Sequence, residues 1–241
     1  MFSTIKNNNN VPIAHDFNKI IYLDENKQPN TIKTNYEFQL MPRVDGEREL
    51  IYITGSSGCG KTTFIKNYCE LYHKIYPKAP IYLFSEKLED LSIDGLKFIN
   101  RVVIDNNISE IADIPLENYL PNTLLIFDDY DDLQKQYLVP IQSLISRVLK
   151  LGRQYKISAM IVSHLINPTK NREFNRNILL ECQKIVFFKN DNTYGNKYYL
   201  KTYGGMDKKQ IDNVLSKDTR YIIFNNRFPN YFITKHEIFT A

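Results

Sequence analysis

The stretch GSSGCGKT at residues 55–62 limits what this chain can fold into more than any other feature. It fits the pattern G-x-x-x-x-G-K-[ST], in which glycines let successive backbone N–H groups face one concave nest and a following helix adds the positive end of its dipole. The flanks supply the context that the pattern needs. ELIYIT before the loop reads as a short apolar strand, and FIKNYCELYHKIY after it carries Phe64, Tyr68, Leu71, Tyr72 and Ile75 at helical spacing until Pro77. A nest of this kind binds a triphosphate. Gly55, Ser56, Ser57, Gly58, Cys59 and Gly60 are the residues expected to wrap it. Lys61 reaches the β and γ phosphates, Thr62 places its hydroxyl on Mg²⁺, and Thr63 adds a second hydroxyl nearby.

Strand and helix signals alternate beyond the loop. APIYLFS (79–85), KFINRVVID (97–105), NTLLIFDDY (122–130), ISAMIVSH (157–164) and QKIVFF (183–188) are apolar runs of strand length. IQSLISRVLKL reads as a helix with Pro140 at its start and Gly152 just past its end, because Ile141, Leu144, Ile145, Val148 and Leu149 share one face. The alternation implies an α/β fold of the P-loop NTPase, RecA/ASCE-like type, with a mostly parallel sheet covered on both faces. MDKKQIDNVL reads as a short helix, and RYIIFN and YFITKHEIF as a closing pair of antiparallel strands. Residues 1–35 are polar and irregular, with KIIYL as one strand, and NYEFQLMP is an edge strand ended by Pro42. The expected division is an N-terminal extension over 1–37 and a P-loop ATPase domain over 38–241.

At 241 residues the chain can bury a substantial core as one domain. Its net charge of +4 is compatible with a polyanionic partner and also with an ordinary soluble protein. Cys59, Cys69 and Cys182 have no metal-ligand spacing and suggest reduced thiols in a cytosol-like compartment. No apolar run has the length of a membrane span, and the N-terminus lacks the layout of a signal peptide.

In LLIFDD an apolar strand carries Asp128 and Asp129 to its carboxyl end, where open α/β sheets place their ligands. Asp128 is the natural Mg²⁺ acid, and Asp129, one residue on, can address an attacking water. Asp131 and Asp132 are read as acids that complement a helix dipole. A second acid beside the metal acid marks NTPases that hydrolyse to drive movement. In LGRQYKISAMIVSH, Gly152 ends the helix and frees Arg153 in a loop, and the next strand delivers His164 to the edge that holds Asp128. Arg153 is placed for a neighbouring subunit's nucleotide, or it is a surface arginine in a basic turn with Lys150 and Lys156. His164 is a γ-phosphate sensor or a satisfied core histidine.

GSSGCGKT, the strand-ending LIFDD and LGRQYKISAMIVSH, in this order and spacing, resemble the FtsK/HerA superfamily of DNA-pumping ATPases. Within it they are most similar to the genome-packaging ATPases of poxviruses, giant viruses and their virophages. IYLFSEKLED (81–90) and YGGMDKKQIDNVL (203–215) extend the likeness over roughly residues 38–235. The resemblance implies ATP and Mg²⁺ as cofactors, with Lys61 and Thr62 on phosphate and metal, Asp128 as the metal acid and Asp129 as the water-activating acid. It also implies Arg153 as a finger acting across subunits and His164 as the sensor. The chain departs from the family in Gln154 where His is common, and in Cys59 where Ser is common, which would make the loop sensitive to alkylation. It departs again in Asp129 where motors more often have Glu, and in His164 where FtsK-like motors tend to have Gln.

The function so implied is ATP-driven translocation of double-stranded DNA into a preformed capsid by a homo-oligomeric ring, a pentamer or hexamer. The ring would dock at a capsid vertex or portal in the host cytoplasm or viral factory, without membrane insertion. DNA contacts in such a motor go to phosphates, and Lys170, Arg172, Arg176, Lys208 and Lys209 are candidates. Two rivals use the same loop: a small-molecule or nucleoside kinase, and a non-enzymatic scaffold that binds ATP to order an assembly.

Overall fold

Five consecutive buried residues, Leu50–Thr54, form the strand that feeds the glycine loop, and every later element is arranged around it. The computed structural model describes residues 2–7, 10–24, 30–166 and 171–240. In chain order the strands are β1 (Phe2–Ser3), β2 (Val11–His15), β3 (Ile20–Leu23), β4 (Thr31–Lys33), β5 (Gln39–Leu40), β6 (Leu50–Thr54) and β7 (Ile81–Ser85). They continue as β8 (Ile99–Val103), β9 (Leu124–Phe127), β10 (Ser158–Ser163), β11 (Lys184–Phe188), β12 (Tyr221–Asn225), β13 (Tyr231–Ile233) and β14 (Glu237–Phe239). The helices are α1 (Lys61–Ile75), α2 (Ile108–Ala112), α3 (Lys135–Leu151), α4 (Arg172–Glu181), α5 (Thr193–Thr202) and α6 (Lys208–Ser216).

The main sheet has ten strands in the order β4-β14-β13-β12-β11-β6-β10-β9-β7-β8. Its β11-to-β8 portion is parallel, and β12, β13, β14 and β4 join antiparallel. β10 lies between the loop strand β6 and the acid-bearing strand β9, so an additional central strand separates the two motifs. Strand alternation divides the core into two layers. Leu50 and Tyr52 join Leu125, Phe127, Ala159 and Ile161 on the face that α2 to α6 cover. Ile51 and Ile53 join Leu124, Ile126, Met160 and Val162 on the other face, against α1 and residues from the N-terminal sheet. Burial on both faces is why these strands read as continuous apolar runs.

Four elements differ from the sequence reading. First, α3 begins at Lys135, with Pro140 inside it. The proline forfeits one bond to the carbonyl four residues back, and the turn before it survives because Tyr137 and Leu138 pack on the core. Second, the tail after RYIIFN divides into two strands, β13 and β14, so three antiparallel strands close the sheet. A ladder of stacked rings at Phe224, Phe232 and Phe239, with centroids 4.8 and 5.3 Å apart, holds them in register. Third, the N-terminal stretch is more regular than its composition suggests: β1, β3, β2 and β5 form a separate antiparallel sheet. β4 pairs with β14 at the edge of the main sheet. Fourth, the segment of Arg172 and Arg176, to which the sequence reading gave no element, forms α4, whose Ile178 and Leu179 are buried.

At the amino-terminal end of the parallel strands, Lys184 of β11 contacts Glu49, and both are buried. Tyr68 of α1 donates its hydroxyl to the same carboxylate. Burial pulls the Lys184 ammonium down to about 7, and the Glu49 carboxylate touches it. Glu49→Ala would leave Lys184 buried and unpaired, and chemical denaturation should register a loss of about 3–5 kcal/mol. A loss below about 1 kcal/mol would show that the pair does not carry this junction.

Candidate nucleotide site

The loop between β6 and α1 is wound by its glycines. Gly60 has φ 118°, and a Cβ there would meet the Arg220 guanidinium at 3.1 Å, so only glycine serves. Gly60 is also the N-cap of α1 and makes no side-chain cap, which leaves the first N–H groups of a fifteen-residue helix to another acceptor. Lys61 Nζ is bonded to the Gly55 carbonyl at 2.6 Å and lies 3.4 Å from His164 Nδ1. Asp191, just beyond β11, accepts from the Ser56 N–H and staples the loop to the sheet. Burial pushes the Cys59 thiol up, opposed by Lys61, which keeps it a thiol and works against the alkylation sensitivity expected of it.

β9 delivers the two acids to the mouth of this loop. Ser85 at the end of β7 donates to Asp128 Oδ2 at 3.1 Å. Burial, with Asp129 beside it, holds the Asp128 carboxyl above its ordinary range against the pull of Lys87 and Ser85. Asp129 adopts a left-handed backbone with φ 45°, a conformation that aspartate tolerates and that turns the chain sharply after the strand. Its Oδ1 is buried without a hydrogen-bond donor, 3.6 Å from Lys61 Nζ and 3.5 Å from His164 Nε2. Lys87, just past β7, sets its ammonium 3.6 Å from Asp128 and 3.4 Å from Asp129.

This donor set suits a hard cation such as Mg²⁺: two carboxylates and the Thr62 hydroxyl around an orphaned carboxylate oxygen. Among the described residues no three His, Cys, Asp or Glu side chains converge as a metal cage, so such an ion would draw part of its shell from phosphate or water.

Lys61, Asp128, Asp129 and His164 therefore meet at one point, and Arg153 does not join them. It lies before β10, at the opposite end of the strands, with Nε 3.3 Å from Glu47 Oε2. Its backbone is firmly placed. Arg48 Nη1 donates to the Val148 and Leu149 carbonyls at 2.6 and 2.9 Å, capping the end of α3. A Cβ on Gly152 would meet the Val148 and Ile157 carbonyls at 2.5 and 3.1 Å.

Asp131 and Asp132 do more than complement a dipole. Tyr130–Asp132 is a single 3₁₀ turn, and Asp131 turns inward from it to accept from Ser163 Oγ at 2.7 Å and from the His164 N–H at 3.3 Å. Asp132 lies 3.1 Å from His164 Nε2. The pair fixes the histidine from both sides. Sequence reasoning also missed Lys87, Asp191 and Arg220. Lys87 follows a strand whose neighbour is β9, and Asp191 follows one whose neighbour is β6. A strand order would have flagged both, and no local motif does. Of the basic candidates for DNA, Lys208 and Lys209 are exposed in the first turn of α6, Arg172 and Arg176 are exposed on α4, and Lys170 lies outside the described residues.

No family model matches the chain. Protein V3 of Sputnik virophage, itself uncharacterized, is 36% identical over 184 residues, 76% of this chain and 73% of that protein. The chain belongs to the family of virophage protein V3. In fold, this V3-family member is similar to the genome-packaging NTPase B204 of Sulfolobus turreted icosahedral virus 2 in complex with AMPPCP. That similarity has a TM-score of 0.54 at 12% identity, over 80% of this chain and 98% of that one. It is also similar to the pCW3 conjugation coupling protein TcpA with ATPγS, with a TM-score of 0.56 at 11% identity, over 93% of this chain and 76% of that one. The fold is that of the P-loop ATPases. No helix among the described residues is long and apolar enough to cross a membrane.

Removing Asp131 tests the turn. Asp131→Ala should cost about 1–3 kcal/mol by leaving buried donors unpaired, and should move the His164 ring resonances. Asp132→Ala, at an exposed position, should stay within about 0.5 kcal/mol.

Proposed function

We propose that the V3-family chain is an ATP-hydrolysing motor that moves double-stranded DNA into a preformed capsid as a ring of identical subunits. The observation that carries the reading is the separation of parts. The phosphate loop, both acids and His164 share one end of the strands, and Arg153 is held at the other. A subunit so built is furnished for phosphate and acid chemistry but lacks a guanidinium at that site from its own α3–β10 loop, and a neighbour can supply it. On this reading 38–241 is the working unit and 1–37 an extension on it, tied in where β4 pairs with β14 and β2 with β5.

Thr62 and Asp128 would hold Mg²⁺, which when bound supplies positive charge against the phosphate oxygens. Lys61 leaves the Gly55 carbonyl and binds the β and γ phosphates. Asp129 has an oxygen with no other donor, accepts a hydrogen bond from the attacking water and orients it in line with the γ phosphorus. His164, gripped by Asp131 and Asp132, is the group that can report the γ phosphate to β10 and α3. Arg153 from the adjoining copy stabilises charge on the transferring phosphoryl group, a contribution on the order of 10³–10⁵ in rate where such fingers are known. Support for DNA as substrate comes from neighbours in fold that are packaging and conjugation-coupling proteins. The capsid vertex or portal, the viral factory and the ring itself belong to this proposal.

ATPase rate should rise with duplex DNA and with protein concentration, and the DNA effect should fall as salt is raised. A rate indifferent to both, or full-rate phosphate transfer to a nucleoside by a monomer, would sink the motor reading. Asp129→Asn should bind ATP and lose at least about 10²-fold in turnover. Mixing Asp129→Asn subunits with Arg153→Ala subunits should restore part of the lost activity, since some interfaces then combine an intact acid with an intact arginine. No restoration at any ratio would remove Arg153 from the shared site.

A further inference from the structure

Lys87 has no task in the hydrolysis described above, yet its place is closely set. Its N–H donates to Ser85 Oγ at 3.2 Å, and the same hydroxyl donates to Asp128 Oδ2 at 3.1 Å, so one serine ties the Lys87 backbone to the metal acid. Arg101 of β8 holds the other side. Its Nη1 donates to the Lys87 carbonyl at 3.0 Å, and its Nε donates to Asp94 Oδ1 at 3.1 Å. From that anchor the side chain returns over the acids, with Nζ 3.6 Å from Asp128 Oδ2 and 3.4 Å from Asp129 Oδ2. We propose that the Lys87 ammonium is a tethered competitor of the divalent cation. The two contend for the same pair of carboxylates, so the ion is held only when a polyanion arrives with it.

Charge balance carries the argument. Lys87 faces the Oδ2 atoms of Asp128 and Asp129, and Lys61 lies 3.6 Å from Asp129 Oδ1. Two carboxylates against two ammoniums cancel in formal charge. Among the described residues no third acid joins the pair as a metal cage, so nothing else on the protein offsets an added ion. A divalent cation brought in alone would leave positive charge uncompensated where Asp128 and Asp129 are largely removed from water. Without Lys87 the carboxylates outnumber the remaining ammonium, and the same ion is attracted.

The lysine is also built to leave. Its side chain is 52% exposed, against 14% and 23% for Asp128 and Asp129, so it can swing toward solvent or a phosphate without disturbing the core. A triphosphate in the loop supplies the negative charge that lets both the ion and the lysine stay. That last step rests on reading the loop as a triphosphate site; the competition for the acids does not.

Titration of the full chain with Mn²⁺ and no nucleotide, followed by the loss of the free ion's paramagnetic resonance signal, tests this. Lys87→Gln should bind Mn²⁺ about tenfold or more tightly than the unaltered chain. The substitution alters a half-exposed side chain and keeps the bonds to Ser85 and Arg101, which use backbone atoms of residue 87. Lys87→Arg, which keeps the charge, should stay within about twofold of the unaltered chain, and adding Asp128→Asn to Lys87→Gln should abolish the gain. A Lys87→Gln affinity within about twofold of the unaltered chain, or a gain that survives Asp128→Asn, overturns the proposal. Calorimetry of the unaltered chain with MgATP keeps the two readings apart: no binding there would sink the triphosphate site, while the Mn²⁺ comparison still decides what Lys87 does at the acids.

Discussion

The structure depends on how two adjacent carboxylates are kept at the end of a buried strand. Asp128 and Asp129 sit where β9 leaves the core, and burial, with Asp129 beside it, raises the cost of ionising Asp128. Groups from three different elements face them: the Lys61 ammonium from α1, the Lys87 ammonium after β7 and the His164 ring after β10. None of these lies near the acids in sequence. The sheet order β6-β10-β9-β7 is what brings them to one place, and the site exists because that order was selected by burying both faces of each strand.

The same order separates the two ends of the molecule. At the carboxyl end of the parallel strands, backbone nests and charged side chains replace the apolar core. At the amino end, Arg48 caps α3, Glu49 meets Lys184, and Arg153 is held out beside Glu47. A strand rises about 3.3 Å per residue, so a six-residue strand sets its two ends far beyond side-chain reach. That distance keeps a subunit's own Arg153 away from its own phosphate loop.

The antiparallel strands β12 to β14 add a second kind of control. Because β12 runs against β11, its start and not its end arrives at the phosphate loop, and Arg220, the residue just before it, lands on the Gly58 and Cys59 carbonyls. The stacked phenylalanines that fix those strands thus set the position of a charge against the nest. Loop, helix α1 and C-terminal sheet form one mechanical unit.

Much of this was legible in the chain itself. GSSGCGKT dictated a strand, a nest and a helix through the freedom of glycine and the spacing of Phe64, Tyr68 and Tyr72. LLIFDD announced a buried strand ending in acids, and uninterrupted apolar runs announced a parallel sheet covered on both faces, since period and composition are local properties. The start of α3 was misjudged because packing of Tyr137 and Leu138 outweighed a proline. The roles of Asp131, Lys87, Asp191 and Arg220 were hidden because each depends on a neighbour many residues away in the chain. Sequence decided which segments are strands, helices and phosphate loops. Only the tertiary structure decided which strand lies beside which, and charges act over a few ångströms of space with no regard for separation along the chain.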